Sequence, residues 1–123
     1  MRVIDSTGWI EYFIAGPHAD EYEEYLDDLS TIYTPTIILY EVYKKVKKEK
    51  GEENALIAIS QLMKTRTVPL DSNLALLAAD FSVRHSLPMA DAIVYATTIE
   101  KNCTLITSDE HFAALDRVIY VPK

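Results

Sequence analysis

The sequence is poor in cysteine, in basic residues and in long apolar runs. Its single cysteine, Cys103, cannot form an intrachain disulfide. That excludes a secreted, disulfide-stapled fold and points to the reducing cytoplasm. No stretch reaches the roughly 20 apolar residues of a membrane span, so no membrane association is expected. Met1-Arg2-Val3-Ile4-Asp5 meets a charged position at once, which does not fit a signal peptide. Lys and Arg number 12 against 19 Asp and Glu, a net charge of -7. A protein that coats a duplex through counterion release needs the opposite balance. Repeats, low-complexity tracts and Pro/Gly/Ser linkers are missing too, so one continuous domain over residues 1–123 is expected.

What is present is ordinary in bulk. Of the 123 residues, 49% are hydrophobic and 25% charged, the profile of a soluble globular chain. A chain of this length can bury ~65–70% of its unfolded surface, so it needs no staples to hold a core. The positive charge is concentrated. Lys44, Lys45, Lys47, Lys48 and Lys50 are five of the 12 basic residues and fall in one seven-residue stretch. This reads either as a solvated helix face or as the one patch a nucleic acid can approach.

Along the chain, strand and helix patterns alternate. Val3-Ile4 is a short buried strand; Ser6-Thr7 starts a helix with Trp9, Ile10, Phe13 and Ile14 on one side, ended by Gly16-Pro17. Residues 18–29 space Tyr22, Tyr25, Leu26 and Leu29 as a helix does, with an acidic opposite face (Asp20, Glu21, Glu23, Glu24, Asp27, Asp28) taken as solvated. Strands are expected at Thr31–Thr34, Thr67–Leu70, Thr104–Thr107 and Val118–Val121. Helices are expected from Thr36 to Lys50, Glu52 to Lys64, Asp71 or Ser72 to His85, Pro88 to Asn102 and, briefly, Glu110 to Leu115. The class is α/β: three layers, α/β/α, with a mainly parallel central sheet of about four to five strands.

In such a sheet, ligands bind beyond the carboxyl ends of the strands. Asp5 follows the first strand and Asp109 the Thr104–Thr107 strand. Glu41 interrupts the apolar series Ile37, Ile38, Leu39, Tyr40, Val42, Tyr43, and Asp91 lies in the first turn of an otherwise apolar helix. An acid set among apolar residues is costly to bury without compensation. Each has a bland explanation. Asp5 can cap the first helix, Glu41 can pair with Lys45 four residues on, Asp91 can complement a helix dipole, and Thr107 with Glu110 has capping-box spacing. Together, four carboxylates at strand ends and helix starts form a hard oxygen ligand set suited to Mg2+ or Mn2+ rather than zinc. His18, His85 and His111 lie on different elements without metal-ligand spacing and read as structural or surface residues. Cys103 reads as a small buried residue. Trp9, Tyr12 and Phe13 read as core.

The ordered motifs resemble a family. Val3-Ile4-Asp5-Ser6-Thr7 with Trp9-Ile10-Glu11-Tyr12-Phe13, then Thr36–Val42 around Glu41, then Leu87-Pro88-Met89-Ala90-Asp91-Ala92, then Leu105–Asp109 with His111-Phe112, is similar to PIN-domain ribonucleases, in particular VapC-type toxins. The resemblance implies that Asp5, Glu41, Asp91 and Asp109 hold Mg2+ or Mn2+, with Ser6 or Thr107 lending a hydroxyl. It implies hydrolysis of single-stranded or looped RNA, a homodimer, and a small antitoxin that blocks the pocket. Lys44, Lys45 and Lys48 would share a helix face with Glu41 and meet the RNA. Two other readings compete: a catalytically silent PIN-like interaction module, and a phosphoacceptor signalling domain with Asp71 as acceptor. A haloacid-dehalogenase-like phosphatase would need an Asp where Thr7 stands, and Ser72 and Ser108 lack a nucleophile-elbow context.

Overall fold

In a computed structural model that describes residues 1–123, short parallel strands alternate with helices. The order is β1 (Arg2–Ile4), α1 (Ser6–Phe13), α2 (Ala19–Glu23), β2 (Tyr33–Pro35), α3 (Thr36–Lys50) and α4 (Glu52–Leu62). There follow β3 (Arg66–Val68), α5 (Ser72–His85), α6 (Met89–Glu100), β4 (Thr104–Thr107) and β5 (Val118–Tyr120). Single 3-10 turns occur at Glu24–Leu26, Leu29–Thr31 and Glu110–Phe112.

β4 lies between β1 and β5, all parallel, and β2 pairs in parallel with β3. One parallel bridge, Arg2 to Ile32, sets the two groups edge to edge. Across the molecule the order is therefore β3-β2-β1-β4-β5. With helices on both sides this is the expected three-layer α/β/α arrangement. Burial on both faces explains why the central strands are apolar without alternation: Val3, Ile4, Leu105 and Ile106 are all buried in a core of 26 residues. Each such aliphatic side chain contributes about 1.5–3 kcal/mol. α6 is the most deeply set helix, buried from Ala92 to Thr98. Its threonines are satisfied locally, Thr97 Oγ1 donating to the Ile93 carbonyl at 2.8 Å and Thr98 Oγ1 to that of Val94 at 2.9 Å.

Two glycines shape the packing. Gly51, at φ +88°, turns the chain from α3 directly into α4. Gly8 in α1 lets the buried Tyr22 ring lie against the helix, where a Cβ would collide with it. Several boundaries differ from the expected ones. The helix expected over residues 18–29 breaks into five-residue α2 and two 3-10 turns, and the one expected after Asp109 is a single 3-10 turn. β3 stops at Val68 because Pro69 has no N–H to continue the ladder. Tyr12 is 40% exposed, on the outer side of α1, while Trp9 is buried as expected.

Candidate functional site

Because the strands are parallel, their carboxyl ends share one edge of the sheet. Ile4 is level with Ile106, so the residues that leave β1 and β4 emerge side by side. Asp5 is the first residue past β1, and its N–H donates to the Ile106 carbonyl at 2.9 Å. Its side chain makes no capping bond to α1. Instead Oδ2 accepts from Thr107 Oγ1 at 2.8 Å and Thr7 Oγ1 at 3.0 Å, and the residue is 2% exposed. Burial pushes the Asp5 carboxyl above its ordinary range, against the pull of the two hydroxyls.

Those hydroxyls also tie the loop after β4. Thr107 Oγ1 accepts from the Asp109 N–H at 2.9 Å, and Thr7 Oγ1 from the Ser108 N–H at 3.1 Å. Ser108 is further anchored by its hydroxyl to that of Tyr22. The Thr107–Glu110 capping box is not formed. Asp109 caps the 3-10 turn instead, its Oδ1 accepting from the His111 N–H at 2.9 Å.

The remaining two acids arrive on helices. Glu41 lies mid-way along α3, half-buried, with its carboxyl pushed up to about 7, by burial first and then by the charge of Asp5. Asp91 and Asp109 raise it further, while the Ser6 hydroxyl favours the ionised form. The expected Glu41–Lys45 pair is absent, since Lys45 Nζ bonds Glu49 at 2.9 Å. Asp91, in the first turn of α6, is raised to about 6 by burial and then by Asp109 and Asp5. All four expected acids thus lie within electrostatic reach of one another.

One residue belongs to this group that its spacing did not reveal. His111 Nδ1 lies 3.1 Å from Asp91 Oδ2 and 3.1 Å from Asp109 Oδ1. The two carboxylates pull its pKa upward, Asp109 foremost. The Asp109–His111 turn was the readable signal, because a capping Asp folds the chain back and brings residue i+2 beside its own carboxylate. Thr7 was likewise read only as a helix start. Lys44, Lys45 and Lys48 line a groove of about 340 Å³ with Glu41, Ser6 and Tyr40, so the basic patch opens directly beside the acids. Asp71, in contrast, caps α5 by accepting from the Leu74 N–H at 2.8 Å. It follows β3, two strands away from β1 across the sheet.

The donor set is carboxylate oxygen with hydroxyls and one imidazole, and no Lys or Arg is paired with the four acids. Like charges gathered at low exposure without a fixed counter-charge suit a small hard dication.

Comparison with known proteins places these features. Residues 2–118 match the family model described as "PIN domain". A toxin–antitoxin complex from Klebsiella pneumoniae has a chain of similar fold, with TM-score 0.81 and 22% identity, covering 97% of this chain and 96% of that one. VapC20 of Mycobacterium tuberculosis, described as a sarcin-ricin loop cleaving toxin, is similar over 100% of both chains with TM-score 0.82 and 18% identity. VapBC2 from Rickettsia felis, bound to a DNA fragment from its promoter, gives TM-score 0.77 at 17% identity, over 98% and 97% of the chains. At these identities the likeness is one of fold. Comparison by sequence with curated proteins gives no match.

Proposed function

The chain belongs to the PIN-domain family, and from that premise we propose that it is a metal-dependent endoribonuclease, the toxin of a VapBC-type pair. Its substrate is single-stranded or looped RNA in the cytoplasm. The observation that carries this reading is the convergence of Asp5, Glu41, Asp91 and Asp109 at one sheet edge beside Lys44, Lys45 and Lys48.

The four acids hold Mg2+ or Mn2+. Asp5 is oriented by Thr7 and Thr107, Glu41 lies beside Ser6, and Asp91 and Asp109 face each other across His111. A bound dication supplies Lewis-acid stabilisation of phosphate charge and lowers the pKa of water. The lysines draw the strand's phosphates along the groove of α3. Hydrolysis is in line: water oxygen bonds to phosphorus, the 3′ oxygen departs, and the products carry 5′-phosphate and 3′-hydroxyl ends. No protein nucleophile takes part.

Two partners belong to this reading. Chains of similar fold occur in complexes with antitoxins, and a small antitoxin that covers the acidic pocket is proposed here. A second copy is proposed on the outer side of α5. Leu76 and Val83 are 69% and 86% exposed there, and the neighbouring face of the same helix, with Ala75, Ala79 and Ser82, lines an apolar groove with Leu70, Met89 and Ile93.

The deciding experiment mixes purified protein with labelled, structured RNA and Mn2+, with and without chelator. Cutting that the chelator abolishes, with 5′-phosphate products, is expected. Absence of cutting at saturating Mn2+, across a panel of structured RNAs, leaves only an interaction module.

A further inference from the structure

Four carboxylates alone would make a site for any small hard dication. This pocket also contains a nitrogen. His111 Nδ1 is equidistant, at 3.1 Å, from one oxygen of Asp91 and one of Asp109, and the candidate donor atoms of the three residues all lie within 4.8 Å of one another. Neighbouring vertices of an octahedron with bonds of ~2.1 Å are separated by about 3.0 Å. His111 Nδ1 therefore already stands at the spacing of an adjacent ligand from each of the two oxygens.

The imidazole is placed by its backbone. The His111 N–H is bonded to Asp109 Oδ1 at 2.9 Å, which fixes the start of the side chain beside the carboxylates. Phe112, next in the chain, is fully buried and pins the turn to the core. The ring itself is more than half exposed, so small rotations cost no packing. No other basic side chain is paired with either acid.

We propose that His111 is a nitrogen ligand to the cation held by Asp91 and Asp109, and that it tilts the pocket toward Mn2+ and away from Mg2+. The inference rests on the acidic-pocket reading above. Its physical basis is donor softness: Mg2+ takes oxygen and retains its waters, whereas later dications accept imidazole with increasing strength. A carboxylate or water in place of the imidazole removes that difference. The pocket of this chain is thus a mixed oxygen–nitrogen site, selective by donor type and not by size alone.

The test measures binding, not cleavage. Mn2+ and Mg2+ are titrated separately into the metal-free protein, His111→Gln, His111→Ala and the distant control His18→Gln. The Mn2+ complexes are then read by pulsed electron paramagnetic resonance for nitrogen coupling. Wild type and His18→Gln should show the nitrogen modulation, and both His111 variants should lose it. Mn2+ affinity should fall about tenfold in the His111 variants, with Mg2+ affinity changed less than about twofold. Thermal unfolding of the metal-free variants checks that the exposed position tolerates the changes. Tight Mn2+ binding without nitrogen modulation in wild type overturns the His111 assignment and leaves the carboxylate pocket standing. Binding of neither ion overturns both.

Discussion

Asp5 is held by two hydroxyls, faces three other acids and has no cationic partner. A buried charge in that position is retained at a cost to stability. Asp5→Asn should therefore keep the fold, with the Tm of the metal-free protein equal or higher. Dication-dependent RNA cleavage should drop by at least ~100-fold, since a lost ligand exceeds the effect of a lost supporting contact. Melting curves and cleavage assays on one preparation check both halves, and full activity would remove Asp5 from the mechanism.

The raised carboxyls also make stability depend on pH. Glu41 moves from 4.5 to about 7 and Asp91 from 3.8 to about 6. The native state therefore binds more protons than the unfolded one across this window, and stability is lost as pH rises through it. His111, raised by the same acids, acts in the same direction: its contribution is present below its unfolded pKa and goes as pH climbs past its folded one. After allowance for solvent screening, about 2 kcal/mol from the two acids disappears between pH 3.8 and about pH 7. Metal-free protein should melt several degrees lower at pH 8 than at pH 5. Mn2+ should reverse the loss at pH 8 by binding the ionised pocket. A Tm that rises with pH in chelator would contradict the mutual repulsion of these acids.

At the scale of the element, α3 carries both an acid of the pocket and the lysines beside it. Glu41, Lys44, Lys45 and Lys48 sit one helical turn apart and line the same groove. Replacing Lys45 and Lys48 with glutamate should weaken RNA binding. It should also flatten the slope of log K against log salt by about 1.4, two single-strand phosphate contacts. Lys45 has only an exposed partner in Glu49, so stability should shift by less than about 1 kcal/mol. An unchanged salt slope, measured by fluorescence anisotropy, would show α3 to be a solvated face and nothing more.

For the molecule as a whole, the exposed apolar side of α5 bears on assembly. Leu76→Glu together with Val83→Glu should convert a dimer to a monomer in sedimentation, without lowering Tm, because neither side chain is in the core. A monomeric wild type would refute that surface as an interface. The fold and four of the pocket residues were readable because chemistry followed pattern. Apolar strands ended in Asp5 and before Asp109, and Glu41 and Asp91 were acids among buried neighbours. Other features were not. Lys45 has an acid four residues away on either side, at Glu41 and Glu49, and spacing could not choose between them. His111 reaches Asp91 only because the Asp109 turn and the start of α6 meet in space, from twenty residues apart in sequence. Tyr12 misled because α1 buries Trp9 and packs Ile10 and Phe13 partly against the core, while Tyr12 faces outward.

The central position of β4 also sets an order of events during translation. Asp5 leaves the ribosome early, yet Thr107 and Asp109 are among the later residues to emerge, and β4 must pair with β1 before they meet. A nascent chain that ends before Thr104 lacks that strand and cannot assemble the pocket. On the proposed nuclease reading, a chain still being made cannot yet cut RNA.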